Sequence, residues 1–299
     1  MKRAAGKRKV LSTMLAGLLT LVAPLSWGAA PLRVASTNLC ADQLLLMLLP
    51  RERIASLSYW AVRAESPLAA QAAGLPLNHG LVEEVLPHNP DLILVGRYND
   101  VALVNSLRRV GQAVAIVEVP ASLAEAATLI TAVGELVASP GRAAALRAEF
   151  EARLARILPV PAEQRPLAVI YAPNGVTPGR GTVLDEVVAR AGLRNLAAEL
   201  GIEGYGALSL ETVLNAAPDL LIIEGELNET ADSLAHRQLQ HPALAELAER
   251  TPVVGLPARF TQCVGPATVE AIERLAAARA RLLAGAAHHS AARSGEVRP

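Results

Sequence analysis

The stretches VEEVLPHNPDLILV (82–95) and LETVLNAAPDLLII (210–223) share one pattern. They lie 128 positions apart, and in each a glutamate is followed after six residues by Pro-Asp and then by an apolar run. A continuous apolar run of this length is typical of a strand that is buried on both faces, as in a parallel sheet. The repeat therefore predicts two α/β units that are built to one plan.

Each unit has an earlier strand candidate, LRVAST (32–37) in the first and LAVIYA (167–172) in the second. Between the units lies GRAAALRAEFEARLARIL (141–158), which has helical periodicity and no Gly or Pro after its first residue. A flexible linker would instead be rich in Gly and Ser. The sequence therefore predicts an α/β fold with two Rossmann-like lobes, a single long helix that joins them, and a ligand cleft between the lobes.

The two ends of the chain differ in composition from the lobes. Residues 1–30 are first basic, then apolar and then small, which is the order of a cleaved secretory signal peptide and predicts export to the periplasm. The last residues show no periodicity, which favours disorder. The predicted organisation is a signal peptide at 1–30, a first lobe at 31–138, a connecting helix at 139–160, a second lobe at 161–286 and a disordered tail at 287–299.

The charge balance limits the possible partners. Five of the 28 basic residues lie in residues 1–30, so that 23 basic and 28 acidic residues remain after cleavage. A mildly acidic chain lacks the basic face that nucleic acids require, and we expect no nucleic-acid partner. Hydrolase, metalloprotease and nucleotide-binding motifs are absent, and we expect no enzyme. A periplasmic enzyme or a protein-interaction module is the alternative from another class.

The export signal, the paired motif, the order of elements and the connecting helix together resemble the periplasmic binding proteins for iron–siderophores, haem and cobalamin. The resemblance runs from Arg33 to about Leu283, and the cobalamin-binding members are the most similar. It implies a monomer without catalytic residues or a cofactor. Such a protein captures a large metal chelate, cobalamin or a ferric chelate, and delivers it to the permease of an inner-membrane ABC importer. A haem- or metal-ion-binding receptor of the same fold is the alternative.

Aromatic residues on the loops after the predicted strands are the first ligand candidates, because such loops line the cleft and aromatic faces suit a large ligand. The resemblance implies that Tyr59 and Tyr205 hold a flat ligand between them and that Phe260 lies in the last cleft loop. Trp60 follows Tyr59 directly. Around Leu77 the cobalamin-binding relatives have an aromatic residue and this chain does not. Local packing is the alternative for each aromatic residue.

Polar candidates complete the predicted ligand set. Arg97 and Arg180 offer planar guanidinium donors that suit carboxylates or phosphates, although surface solvation is the alternative. Asn38 lies in the loop STNLCAD after the first strand. No metal site is assigned, because the histidines are scattered along the chain. The predicted ligand-binding residues are Asn38, Tyr59, Trp60, Arg97, Arg180, Tyr205 and Phe260.

The repeated glutamates Glu83 and Glu211 are the candidates for partner docking. In the family that the chain resembles, one surface glutamate in each lobe meets arginines of the permease, and these two residues occupy the matching positions. A carboxylate at a helix start is also stabilised by the helix dipole, which is the alternative explanation.

Cys40 and Cys263 are the two cysteines of the chain, and both lie on predicted cleft loops, one in each lobe. In an oxidising compartment two cysteines often form a disulfide. Two separately packed thiols, or a thiolate pair that ligates a soft metal or haem iron, are the alternatives that the residues leave open.

Overall fold

Two parallel β-sheets organise the part of the chain that the computed structural model describes, residues 32–99, 101–224 and 241–295. The strands of the first sheet are β1 (Val34–Ser36), β2 (Ile54–Ser58), β3 (Leu77–Asn78), β4 (Leu92–Gly96) and β5 (Val114–Val117). Their order is β3-β2-β1-β4-β5, and every neighbouring pair is parallel. This is the open parallel sheet that the buried apolar runs predict.

The second sheet is also parallel, but it has four strands where the first has five. Its strands, together with those of a small hairpin, are β6 (Leu167–Tyr171), β7 (Val176–Pro178), β8 (Arg194–Asn195), β9 (Tyr205–Ala207), β10 (Leu220–Glu224) and β11 (Val253–Leu256). The parallel order is β11-β10-β6-β8, and β7 pairs with β9 in an antiparallel hairpin. The two predicted α/β lobes are therefore present.

Helices connect the strands and cover the sheets. They are α1 (Leu39–Leu48), α2 (Ala69–Ala72), α3 (Val82–Val85), α4 (Val101–Arg109), α5 (Leu123–Leu136), α6 (Pro140–Arg156), α7 (Val183–Arg190), α8 (Leu196–Glu199), α9 (Leu210–Ala216), α10 (Pro242–Arg250) and α11 (Thr268–Gly295). Within the described ranges, no helix is both long enough and apolar enough to cross a membrane.

The repeated Pro-Asp motif has the same structure in both lobes. The residues before the prolines, Asn89 and Ala217, adopt left-handed backbone conformations with φ of 49° and 45° and end the preceding helical turns. The Asp91 carboxylate then accepts a hydrogen bond from the backbone N–H of Arg33 at 2.7 Å, and the Asp219 carboxylate accepts one from Leu167 at 2.7 Å. Each aspartate thus fixes the start of the neighbouring central strand.

The connecting helix α6 begins with Pro140 after Ser139, since proline is well suited to the first turn of a helix. It packs along α5 as the second arm of a helical hairpin. A Cβ atom at Gly134 of α5 would lie 2.1 Å from the Cβ of Ala143, so the two helices approach closely there. The predicted single strut is therefore one of two paired helices.

One hydrophobic core extends through both lobes. Phe150 and Leu154 of α6 belong to the same cluster of buried residues as Leu45 of the first lobe and Ile170 and Ile272 of the second. Separate clusters cover the far faces of the two sheets. The lobes therefore share a continuous apolar interior and are not joined by a linker alone.

Helix α11 continues to Gly295, through most of the segment 287–299 in which the sequence favours disorder. Between Gly285 and Gly295 the sequence is rich in alanine and contains no proline, and such a segment favours a helix. Residues 296–299 and the predicted signal peptide at 1–30 lie outside the described residues.

Candidate ligand-binding cleft

A cavity of about 360 Å³ lies between the two lobes at the carboxyl ends of β1, β4 and β5. The second lobe contributes residues 262–266 to its lining. The first lobe contributes residues 37–40, Gln43, Leu44, Met47, Trp60, 96–99, 117–120 and Leu129. In open parallel sheets this edge is where ligands bind. A cavity of this size takes a small molecule whole, or one edge of a larger chelate.

Helix α1 forms one wall of the cavity, and Asn38 starts this helix. The Asn38 side-chain oxygen accepts hydrogen bonds from the backbone N–H groups of Cys40 at 2.9 Å and Ala41 at 3.2 Å. A Cβ atom at Gly96 would lie 2.4 Å from Asn38 Nδ2, so that only glycine lets β4 approach so closely. Asn38 lines the cavity, and its side-chain oxygen is already used as the helix cap. Its role as a ligand residue stays a prediction.

Asp42, which the sequence analysis did not single out, ties α1 to the aromatic turn. Its buried carboxylate accepts hydrogen bonds from the backbone N–H of Ser58 at 3.0 Å and from the Ser58 hydroxyl. Burial raises the pKa of Asp42 to about 7, and the hydrogen bonds from Ser58 oppose this shift only in part. Ser58 ends β2, so Asp42 positions the turn Tyr59–Val62 that follows.

Three rings form an aromatic surface at the rim of the cavity. The Tyr59 ring centroid lies 4.4 Å from that of Trp60 and 4.9 Å from that of His79, and the second pair is stacked with an interplanar angle of 27°. Trp60 lines the cavity and is 40% exposed, whereas Tyr59 and His79 extend the surface away from it. Glu84 accepts a hydrogen bond from the His79 backbone N–H at 2.5 Å, which holds the outer ring in place.

The two candidate arginines have different positions. Arg97 lines the cavity, and its Nη1 lies 2.9 Å from the Glu118 carboxylate, with both side chains more than half exposed. Arg180 is not among the described residues that line the cavity. Its Nη1 lies 3.4 Å from Glu203, and its Nη2 donates to the Ala198 carbonyl at 3.1 Å, so it is bound to its own lobe.

The second-lobe aromatic residues also lie outside this cavity. Tyr205 is 67% exposed on the β7–β9 hairpin. Desolvation and the neighbouring Glu224 carboxylate raise the pKa of Tyr205. Phe260 lies between two guanidinium groups, with the Cζ atoms of Arg259 and Arg274 at 4.8 and 4.7 Å from its ring centroid. Phe260 also lines a separate pocket to which both lobes contribute, so its role in ligand binding stays a prediction.

Cys40 and Cys263 are joined by a disulfide, and their Cα atoms lie 5.3 Å apart. Both residues line the cavity, one from each lobe. The disulfide is thus the one of the three alternatives left open by the sequence that the structure contains. The bond fixes the separation of the lobes at this edge of the cleft. Elsewhere in the described ranges, no three His, Cys, Asp or Glu side chains converge so as to hold a metal ion.

The sequence model of the periplasmic binding protein family matches residues 34–249 of the 299 residues. The chain belongs to this family. The match confirms the resemblance that the repeated motif indicates. It also agrees with the expectation that the protein is not an enzyme, because the family is one of binding proteins.

The sequence identity to an individual relative is low. A cobalamin-binding protein of Halobacterium salinarum is 27% identical over 215 residues, which are 68% of this chain and 58% of that protein. The match thus spans less than two thirds of the relative's length.

Solved structures share the fold. The periplasmic haem-binding protein RhuT from Roseiflexus sp. RS-1 has a TM-score of 0.68 at 24% identity, over 85% of this chain and 99% of that chain. The periplasmic vitamin B12-binding protein BtuF of Vibrio cholerae has a TM-score of 0.59 at 19% identity, over 84% and 97% of the two chains. These likenesses confirm the predicted two-lobed α/β fold.

The glutamates at the matching positions of the two lobes are both exposed. Glu83 lies in the first turn of α3 and Glu211 in the first turn of α9. The capping role in α9 belongs to Ser209, whose hydroxyl accepts a hydrogen bond from the backbone N–H of Thr212 at 3.1 Å. Among the described residues, neither carboxylate has a hydrogen-bond or ion-pair partner. Both are therefore available to a partner of this binding protein.

Two polar residues of the cavity wall, Thr37 and Gln43, were missed by the sequence analysis. Gln43 lies on the face of α1 that also carries Leu39 and Met47, at a spacing of four residues. In the sequence, Gln43 was recognisable as a single amide side chain among leucines, on a helix that begins at a predicted cleft loop.

Proposed function

We propose that this chain is a periplasmic substrate-binding protein, which captures a large metal chelate and delivers it to the permease of an inner-membrane ABC importer. The observation that carries this proposal is a cavity bounded by both lobes with the aromatic surface of Tyr59, Trp60 and His79 on its rim. Neighbouring aromatic faces suit a flat conjugated ring system. The family membership and the cobalamin-binding relative support the same class of ligand.

The proposed ligand is a cobalamin-type corrinoid or a ferric chelate, with one edge in the cavity. Tyr59 and Trp60 supply ring contacts, and Arg97 supplies a cationic donor at the rim. Tyr205 remains in the proposed set as an exposed aromatic residue of the second lobe. Arg180 and Phe260 stay predictions, and neither is among the described residues that line the cavity.

The proposed partner is the importer permease. The binding protein docks on it as a monomer through Glu83 and Glu211. Their exposure, their lack of partners within the described part of the chain and their matched positions in the two lobes support this role. The basic, apolar and small-residue order of residues 1–30 supports delivery to the periplasm.

Haem is the second candidate ligand, and the Tyr59–His79 stack favours it. Tyrosine and histidine side chains both serve as axial ligands of haem iron in proteins. The two rings lie together at the rim of the cleft, with centroids 4.9 Å apart.

Tryptophan fluorescence tests the proposal. Cyanocobalamin, haemin and a ferric hydroxamate are titrated separately, and at least one is expected to quench Trp60 in a saturable way. Trp27 is the other tryptophan of the chain, and the variant Trp60→Phe isolates the contribution of Trp60. Combining Tyr59→Ala with Tyr205→Ala should weaken binding about tenfold, because each aromatic contact contributes roughly 0.5–1.5 kcal/mol. If none of the three chelates binds, the proposed ligand class is wrong.

A further inference from the structure

Asn78 is the last residue of β3, and its side chain is fully buried. Its Nδ2 atom donates to the Ser36 carbonyl at 2.9 Å, to the Ser56 hydroxyl at 3.0 Å and to the Leu57 carbonyl at 2.9 Å. A side-chain amide nitrogen carries two N–H donors, so these bonds use its donor capacity in full. One amide group therefore ties the carboxyl ends of β1, β2 and β3 together.

Strand β3 needs these bonds because its pairing with β2 is short. The ladder consists of two register pairs, Leu57 with Leu77 and Ser58 with Asn78. An ordinary strand has about five or six residues. Among the described strands, β3 also lies at the edge of its sheet. The side chain of Asn78 therefore holds β3 in place where the ladder alone offers little.

His79 follows Asn78 directly, and its backbone is fixed on both sides. The Asn78 side-chain oxygen accepts a hydrogen bond from the Gly80 backbone N–H at 3.1 Å, so the chain turns tightly around His79. Gly80 has a φ of 81°, a conformation that glycine adopts without strain. The His79 N–H donates to Glu84. Asn78 and Glu84 together thus set the direction in which the His79 ring leaves the backbone.

The register of β2 and β3 puts the His79 ring beside that of Tyr59. Ser58 and Asn78 are partners in the parallel ladder, and Tyr59 and His79 are the residues that follow them. Neighbouring strands lie about 4.8 Å apart. The two ring centroids are 4.9 Å apart, so the stack continues the strand pairing that Asn78 stabilises.

We propose that Asn78 is a positioning residue of the ligand site, which holds His79 against Tyr59 and so sets the shape of the aromatic surface. Its buried side chain cannot touch a molecule in the cleft, and it acts through these rings. Asp42 holds Ser58 in a similar way on the other side of the surface. This role rests on the proposed function and deepens it, because the flat face that a chelate meets is assembled before the chelate binds.

Asn78→Ala in the full chain removes the amide, and Gln112→Ala is the matched control. The Gln112 side-chain nitrogen donates to the Pro90 carbonyl at 2.8 Å at the amino ends of the same sheet, and Gln112 does not line the cavity. Affinity for cyanocobalamin and haemin is measured by Trp60 quenching, and Tm is measured on ligand-free protein. Stacking on a tyrosine shifts the NMR signals of histidine ring protons upfield, and comparison with His79→Ala identifies the signal of His79.

Asn78→Ala should weaken the binding of both probes about threefold to tenfold, because a displaced His79 ring no longer contacts the ligand. The His79 signal should move downfield, toward that of an unstacked histidine. Gln112→Ala should change neither the affinity nor the signal. In a His79→Ala background, Asn78→Ala should cause no further loss of affinity, since it acts through that ring. Asn78→Ser leaves a short hydroxyl in the site, and this milder variant should show the same changes at smaller size if Asn78→Ala fails to fold.

An unchanged His79 signal and unchanged affinity in the Asn78 variants would overturn the proposal, whether or not Tm falls. A shifted signal without a loss of affinity would overturn the role in binding. An equal loss of affinity in Gln112→Ala, or a full further loss in the His79→Ala background, would overturn it as well. A parent protein that binds neither probe contradicts the proposed ligand class, whereas the His79 signal of ligand-free protein still reports on the positioning by Asn78.

Discussion

Asp42 combines a positioning role with a marked pKa shift. Its carboxylate holds Ser58, and through Ser58 the aromatic turn, while burial raises its pKa to about 7 from a reference value of 3.8. At a pH between these two pKa values, the Asp42 carboxyl keeps its proton in the folded protein and has lost it in the unfolded chain. Asp42 therefore stabilises the fold less and less as the pH rises from about 4 to about 7.

We expect Asp42→Asn to remove this pH dependence. The free energy of unfolding of the parent protein should fall relative to that of the variant by about 1.4 kcal/mol per pH unit over this range. Urea unfolding at pH 5 and pH 8 measures the difference. Burial also raises the pKa of Glu224, which contributes equally to both proteins, so only their difference reports on Asp42. Parallel stability curves would contradict the assignment.

Some residues could be predicted from the sequence and others could not. The Pro-Asp repeat identified Asp91 and Asp219 because its spacing is fixed along the chain, and both make the same strand contact. Asp42 acquires its role from burial beside the end of β2, and no local pattern encodes that burial. Cys40 could be placed on a cleft loop, but its bonding state depended on a distance between lobes.

Among the elements, the connecting helix was predicted and its pairing with α5 was not. Apolar periodicity marks a helix and gives its length, but the partner of its apolar face is a tertiary property. The same limit applies to the aromatic residues. The sequence placed several of them on cleft loops, whereas the structure groups Tyr59, Trp60 and His79 and leaves Tyr205 and Phe260 elsewhere.

The close contact between α5 and α6 leads to a prediction on stability. Gly134→Ala should lower the free energy of unfolding by about 1–3 kcal/mol, because the new Cβ would collide with Ala143 and force the helices apart. Gly141→Ala is the control, since nothing lies within 4 Å of a Cβ there and alanine favours a helix. Chemical denaturation compares the two variants.

A second substitution tests the cause of this loss. Combining Gly134→Ala with Ala143→Gly removes the colliding atom and should recover part of the lost stability. An additive loss in the double variant would show that the contact between the helices is not responsible.

At the scale of the whole molecule, the lobes are held together in several ways. They share a core around α6, and the Glu186 carboxylate of the second lobe accepts a hydrogen bond from the Leu123 N–H at the start of α5 at 2.9 Å. The disulfide joins them at the cavity. Large hinge motions between the lobes would break these contacts.

Ligand binding should therefore change the shape of the molecule little. We expect the radius of gyration from small-angle X-ray scattering to change by less than about 1 Å on binding. Replacing both Cys40 and Cys263 by serine should lower the free energy of unfolding by up to about 5 kcal/mol, because the closed loop is long. A clear contraction of the oxidised protein on binding would contradict the rigid cleft.

The docking proposal also belongs at this scale. Glu83→Arg combined with Glu211→Arg should leave chelate affinity unchanged and reduce uptake by cells at least tenfold, because like charges would face each other at the permease. Glu52→Arg combined with Glu163→Arg makes the same change in net charge at one exposed site in each lobe. Normal uptake by the first pair, or equal loss by both pairs, would remove the docking role.

The bond between Cys40 and Cys263 also closes most of the polypeptide into a covalent ring, whose two ends are 223 positions apart in the sequence. A protease that cuts one peptide bond inside this ring opens it without releasing a fragment. The two pieces remain attached and migrate together in a denaturing gel until a reductant is added. In a compartment with active proteases, a single nick in an exposed turn therefore leaves both lobes tethered beside the cavity that they enclose.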